Sequence, residues 1–171
     1  HNPISRVWTK EELTRIGQIC IDNNVIVVSD EIHSDIIYKG NKHIPFAAIS
    51  EEFANNSIIC SAPSKTFNIA GLETSNIIIC SEKIRKEYIS ALDKNGIKGH
   101  NPFGIVATEA AYNEGEEWLT QVIEYLEENV KFVKEFLEEK IPNVKLVDPE
   151  GTFLLWLDFR GIGLDEKELK I

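Results

Sequence analysis

Short, continuous apolar runs alternate along this chain with longer stretches in which apolar residues recur every three or four positions. Thr9-Lys10-Glu11-Glu12 is a capping box, in which the threonine and the glutamate three residues on satisfy each other's orphan amides. Leu13, Ile16, Cys20 and Ile21 follow at helical spacing, and Asn23-Asn24 ends the helix. Val25-Ile26-Val27-Val28 is β-branched throughout, the pattern of a strand covered on both faces. Ser57-Ile58-Ile59-Cys60 and Asn76-Ile77-Ile78-Ile79-Cys80 predict two further strands, and a helix is expected over residues 82–92. A polar break at 96–102 precedes a short helix over 103–112. Residues 116–140 carry the stripe Leu119, Val122, Ile123, Leu126, Val130, Val133 and Leu137 of a long amphipathic helix, which Pro142 stops. Residues 144–147 and 152–158 read as two strands joined through Pro149-Glu150-Gly151. Strands alternating with helices predict an α/β fold, a mostly parallel sheet with flanking helices. The change of texture at the long helix predicts one domain over 1–116, with 117–171 forming the linking helix and the start of a second, α+β domain.

Charge changes the picture in one respect. The formal net charge of −10 argues against nucleic acid or an anionic membrane as a partner, since both demand basic patches. Most of it falls between Glu114 and Glu139, where acidic residues between the apolar positions read as a solvated helix face and not a metal site. No apolar run approaches the roughly 20 residues that span a bilayer. Cys20, Cys60 and Cys80 lack metal-ligand spacing and read as buried small hydrophobes in a reducing, cytoplasmic setting. An opening on His1-Asn2-Pro3 and the absence of methionine predict a segment of a longer protein.

Candidate chemistry collects at strand ends. The first strand delivers Ser29-Asp30-Glu31-Ile32-His33, and the second runs into a small-residue turn that presents Lys65. The carboxyl ends of strands are where open α/β sheets bind ligands. There, desolvation is expected to make Lys65 an imine-forming amine or a base. Taken singly, Asp30 is a turn residue, His33 a structural histidine, Lys65 a surface lysine and Asn2-Pro3 a turn. An aspartate and a lysine closing neighbouring strands form a stronger combination.

Three segments carry a resemblance. His1-Asn2-Pro3 resembles the end of an Asn-Pro-x-Asn-Pro-x-Gly motif. Ser29-Asp30-Glu31-Ile32-His33-Ser34-Asp35 and Ser61-Ala62-Pro63-Ser64-Lys65-Thr66-Phe67-Asn68-Ile69-Ala70-Gly71-Leu72 resemble the aspartate and lysine motifs of fold-type I pyridoxal-phosphate enzymes, the class I/II aminotransferase superfamily. With Phe103-Gly104-Ile105-Val106-Ala107-Thr108-Glu109-Ala110-Ala111-Tyr112, their wording is most similar to the cystathionine β-lyase-like, C–S lyase subgroup. The resemblance covers all 171 residues. It implies that residues 1–116 are the C-terminal part of the cofactor-binding large domain and 117–171 the beginning of the small one.

The resemblance implies pyridoxal 5'-phosphate held as a Schiff base by Lys65, which then shuttles the substrate α-proton. Asp30 would keep the pyridine nitrogen protonated, as an electron sink requires. Asn2 would hydrogen-bond the ring's phenolic oxygen. His33 stands three residues after Asp30, where aminotransferases usually carry a tyrosine for that oxygen. Ser61 or Ser64 would reach the phosphate. The implied reaction is β-elimination from S-substituted cysteine-type amino acids, giving thiol, pyruvate and ammonia, in a cytoplasmic homodimer. An aminotransferase using the same residues is the alternative. A reading of another class takes the chain as a truncated, non-catalytic module that does not bind the cofactor, and the 171-residue chain alone is expected to be inactive. Three positions depart from the pattern: Ser5 replaces a usual glycine, Glu73 stands where many aminotransferases carry a phosphate-binding arginine, and the substrate-carboxylate arginine is expected beyond Ile171. Arg160 does not match that arginine's motif and reads as structural.

Overall fold

The structure, a computed structural model, describes residues 1–97, 99, 101–165 and 168. The chain folds as two compact units, one of Trp8–Asp35 and Lys42–Leu119, the other of His1–Val7, Ile36–Asn41 and Thr120–Ile171.

The first unit opens with helix α1 (Lys10–Asp22), and both halves of its capping box form. The Thr9 amide donates to Glu12 at 3.0 Å and the Glu12 amide to Thr9 Oγ1 at 3.2 Å. Strand β1 spans Val27–Asp30. It begins two residues later than the apolar run, because the Val25 amide still bonds the helix at the Cys20 carbonyl. Helix α2 (Glu51–Asn55) leads into β2 (Ser57–Ser61), which pairs parallel to β1, and β3 (Asn76–Ile78) pairs antiparallel to β2. No crossover helix separates β2 from β3, so the chain returns alongside in the opposite sense. Helices α3 (Glu82–Lys94) and α4 (Pro102–Glu114) follow.

Phe46, Phe53 and Ile59 form the buried core of this unit, with Leu13, Ile21 and Val27 packed against them. The two phenylalanine rings stack at 5.3 Å. Gly17 of α1 makes room for them, since a Cβ there would lie 2.5 Å from the Phe53 ring. Val27 and Ile59 lie on the core face of the sheet, whereas Val28 is 65% exposed. The expectation of a strand covered on both faces is therefore corrected: within this chain one face of β1 is open. Cys80, likewise expected to be buried, is exposed two residues past the end of edge strand β3.

In the second unit, the later turns of α5 (Glu116–Lys140) precede β4 (Lys145–Leu146) and β5 (Leu157–Asp158), an antiparallel pair. Residues 152–156 were expected to extend β5 but do not. Thr152 takes a left-handed φ of 64°, and its Oγ1 accepts the Leu154 amide at 3.1 Å, which breaks strand geometry. Ser5, fully buried, also sits at φ 64°, the region that favours glycine. Its hydroxyl compensates, meeting Thr152 Oγ1 at 2.7 Å and donating to the Leu154 carbonyl at 2.8 Å. Arg160 forms a two-pronged pair with Asp158, Nε to Oδ1 at 2.9 Å and Nη2 to Oδ2 at 2.6 Å. That pair and the neighbouring backbone hold the Asp158 carboxyl well below the usual carboxylate range.

Among the described residues no helix is long and apolar enough to cross a membrane.

Candidate active site

Parallel pairing of β1 with β2 sets the site. Asp30 lies directly across from Cys60, so the last residue of β1 faces the strand that leads to the lysine turn. The Glu31 amide bonds the Cys60 carbonyl at 2.8 Å and carries the pairing one residue further. Beyond β2, buried Ala62 and Pro63 anchor a compact turn. The Phe67 amide closes it onto the Pro63 carbonyl at 2.8 Å and the Ile69 amide onto Ser64 at 3.1 Å, with Asn68 at φ 56°. Lys65 projects from this turn and is exposed, where a desolvated amine had been expected. Its neighbours Pro63 and Thr66 are fully buried.

Asp30 is also exposed, and its Oδ1 accepts the Ile32 amide at 3.2 Å. His33 is half-buried. Burial lowers its pKa first, the charge of Lys65 lowers it further, and Asp30 pulls the other way. The imidazole thus lies within electrostatic reach of both the carboxylate and the amine. Ser61 ends β2 opposite Asn76 and, like Ser64, is half-buried. Asn2 lies in the other unit, exposed, at a cis Asn2–Pro3 peptide. Glu73, also exposed, ends a short 3-10 turn over Ala70–Leu72 in a left-handed conformation.

Several supporting residues escaped the sequence reading. Glu31 is only 9% exposed and gathers three hydrogen bonds, from Ser29 Oγ at 2.9 Å, the Phe46 amide at 2.9 Å and His43 Nε2 at 2.8 Å. Burial alone would raise its pKa, but these bonds prevail and hold it below 4.5. They fasten the loop before Phe46 to the end of β1, beside Asp30. Asp35 Oδ2 accepts the hydroxyl of buried Thr66 at 2.8 Å. Phe67 packs on Tyr112 at 6.0 Å and on Trp118 at 5.6 Å, and Gly115 leaves its ring the space that a Cβ would take. Glu31, Asp35, Thr66 and Phe67 all stand inside the two long motifs. Their presence there was the available signal, but their partners are distant in sequence.

An amine, a carboxylate, an imidazole and two hydroxyls thus stand at the ends of two adjoining strands and on the segments that continue them. Such a set can bind an aldehyde covalently, hold a protonated ring nitrogen and relay one proton.

The family model for aminotransferase class I and II matches residues 1–170. Cystathionine beta-lyase PatB of Bacillus subtilis is 46% identical over 170 residues, 99% of this chain and 44% of that protein. A crystal structure of cystalysin from Treponema denticola, with a pyridoxal 5'-phosphate cofactor, superposes with a TM-score of 0.95 at 40% identity, over 99% of this chain and 43% of that one. A PLP-bound protein of Clostridium difficile, described as an aminotransferase, gives a TM-score of 0.95 at 53% identity over 99% of this chain and 44% of that one. The chain therefore spans less than half the length of the curated relatives it matches.

Proposed function

The chain belongs to the class I and II aminotransferase family, and on that premise we propose that its parent protein is a pyridoxal-phosphate-dependent carbon–sulfur β-lyase. The observation that carries the proposal is the convergence of Asp30, His33 and Lys65 on one sheet edge, with a histidine in place of the transaminase tyrosine. Similarity to proteins named as cystathionine β-lyase and cystalysin supports it. The donor set fits the cofactor: one free-standing amine for its aldehyde, one exposed carboxylate for its ring nitrogen, and hydroxyls for its phosphate.

When bound, pyridoxal phosphate supplies an electron sink that delocalises the pair left by a departing α-proton. Lys65 would hold the cofactor's aldehyde through Nζ, and the same amine would accept the substrate's α-proton. Asp30 would keep the ring nitrogen protonated through its charge. His33, held toward its neutral form, would donate a hydrogen bond to the phenolic oxygen without adding a competing positive charge, and the family resemblance assigns Asn2 to that oxygen as well. Ser61 or Ser64 would hydrogen-bond the phosphate, a task that exposed Glu73 could not perform. The substrate is an amino acid with a sulfur leaving group on its β-carbon, and loss of the thiol with later addition of water gives pyruvate and ammonia. The proposal includes a cytoplasmic homodimer, and a large domain ending near residue 116 with the small one entered by α5.

Supplying the full-length protein with cystathionine tests this reading. Thiol and pyruvate release at comparable rates is expected. Amino transfer to a keto acid without pyruvate would instead favour the aminotransferase reading, which the described likeness of the Clostridium difficile protein supports.

A further inference from the structure

Two segments bear the residues assigned above, and their strand pairing ends early. The last backbone tie runs from the Glu31 amide to Cys60, five residues before Lys65. The hydrogen bonds that shape the lysine turn, Phe67 to Pro63 and Ile69 to Ser64, are internal to it. They fix its form without fixing its place against the segment of Asp30 and His33. Past that point a side-chain bond links the two segments. Thr66, 1% exposed and next to Lys65, donates its hydroxyl to Asp35 Oδ2 at 2.8 Å, and Asp35 lies two residues after His33.

A bond from a buried hydroxyl to a carboxylate is charge-assisted, stronger than a neutral pair and demanding in geometry. Tyr112 on α4 meets the same cluster: its ring lies edge-on to Phe67 at 6.0 Å, and its phenol is held above its ordinary value by partial burial and then by the Asp35 charge. The turn is thus braced by an aromatic edge at Phe67 and by a carboxylate at Thr66.

We propose that Asp35 is a positioning residue for Lys65, acting through the Thr66 hydroxyl to set the lysine turn in register with the segment that carries Asp30 and His33. Lys65 has four rotatable side-chain bonds, so the placement of its Cα decides which positions Nζ reaches. Loss of the tie lets the turn shift relative to the carboxylate and imidazole while the turn itself persists. The inference rests on the assignment of Lys65 as the cofactor-bearing lysine.

The test uses the full-length protein loaded with pyridoxal phosphate, with two readouts besides turnover: the pH midpoint of the visible absorbance of the Lys65-bound cofactor, and the rate of cofactor release on dialysis. Thr66→Val keeps the side chain's shape but removes the donor, and Asp35→Ala removes the acceptor. Each is expected to move the midpoint and to raise release about tenfold, the scale of one buried charge-assisted bond. Thr66→Ser restores both readouts, and the double variant is no worse than either single one, because both remove the same bond. If Asp35→Ala does not fold, Asp35→Asn is read instead, with a smaller shift of the same sign. Singles that leave both readouts at wild-type values, or effects that multiply in the double variant, overturn the proposal. A wild-type protein with no borohydride-sensitive band would refute the cofactor assignment and this inference together, whereas a normal wild-type band with indifferent variants refutes this inference alone.

Discussion

Replacing Glu31 probes the brace behind Asp30. Its carboxylate accepts from Ser29, the Phe46 amide and His43 at 2.8 to 2.9 Å, with 9% of the residue exposed. Glu31→Ala leaves the amide of Phe46, itself 3% exposed, without an acceptor and removes two further bonds. One charge-assisted bond is worth about 1.5–3 kcal/mol and a stranded buried amide costs about 1–3, so a loss of about 3 kcal/mol is expected. For a chain of 171 residues that lowers Tm by about 6–12 °C. Glu31→Gln keeps an oxygen for Ser29 and Phe46 and sacrifices the charge, at about 1 kcal/mol. The sign with pH follows from the depressed carboxyl: because the folded pKa lies below 4.5, the stabilisation is fully present above that value and lost as pH falls through the folded pKa. Thermal melts of wild type and both variants, from neutral pH to about pH 3, should show the gap between wild type and Glu31→Gln closing only below the ordinary carboxyl range. An alanine variant that melts with the wild type, or a gap constant down to the lowest pH, would refute the reasoning.

Ser5 gives a second, discriminating pair. Ser5→Ala loses both hydroxyl contacts and stays at an unfavourable φ, at about 2 kcal/mol, whereas Ser5→Gly recovers about 1 kcal/mol of that through its backbone freedom. An alanine variant as stable as the glycine one in urea melts would contradict the account. Gly115→Ala sets a Cβ against the Ala111 carbonyl and the Phe67 ring, and overpacking of this kind costs about 1–3 kcal/mol. A variant melting at the wild-type temperature would show that Phe67 yields freely. His33 should titrate by NMR with a midpoint below 6.5, because partial burial and the Lys65 charge disfavour its protonated form. The neutral imidazole's contribution to stability is present above 6.5 and weakens as pH falls below it. A midpoint at or above the ordinary value would reverse that assignment.

Local signals made most of this fold legible in the sequence. The Thr9 capping box, the long stripe of α5 and the β-branched run before Asp30 are patterns of near neighbours, and each forms its element. The adjacency of Asp30 to the lysine strand followed from two apolar strands ending in polar residues. What was not legible depends on contacts far apart in the chain. Ser5 meets Thr152 across 147 positions, and nothing near 152–156 announces the left-handed residue that ends the expected strand there. Glu31 and Asp35 lie in a motif read for Asp30 and His33, but their value comes from Phe46, His43 and Thr66, between 12 and 31 residues away. Burial of Lys65 was inferred from apolar neighbours in sequence, whereas exposure depends on what stands opposite the turn. The same holds for Cys80, whose apolar strand lies at a sheet edge.

The central claim is that Lys65 carries the cofactor. Borohydride reduction of the full-length protein after incubation with pyridoxal phosphate, followed by peptide mass spectrometry, tests it most directly. The account predicts a phosphopyridoxyl group on the peptide containing Ser64-Lys65-Thr66 and its disappearance, with the visible band, in Lys65→Ala. A modified peptide elsewhere with Lys65 untouched, or no modification at all, would contradict it.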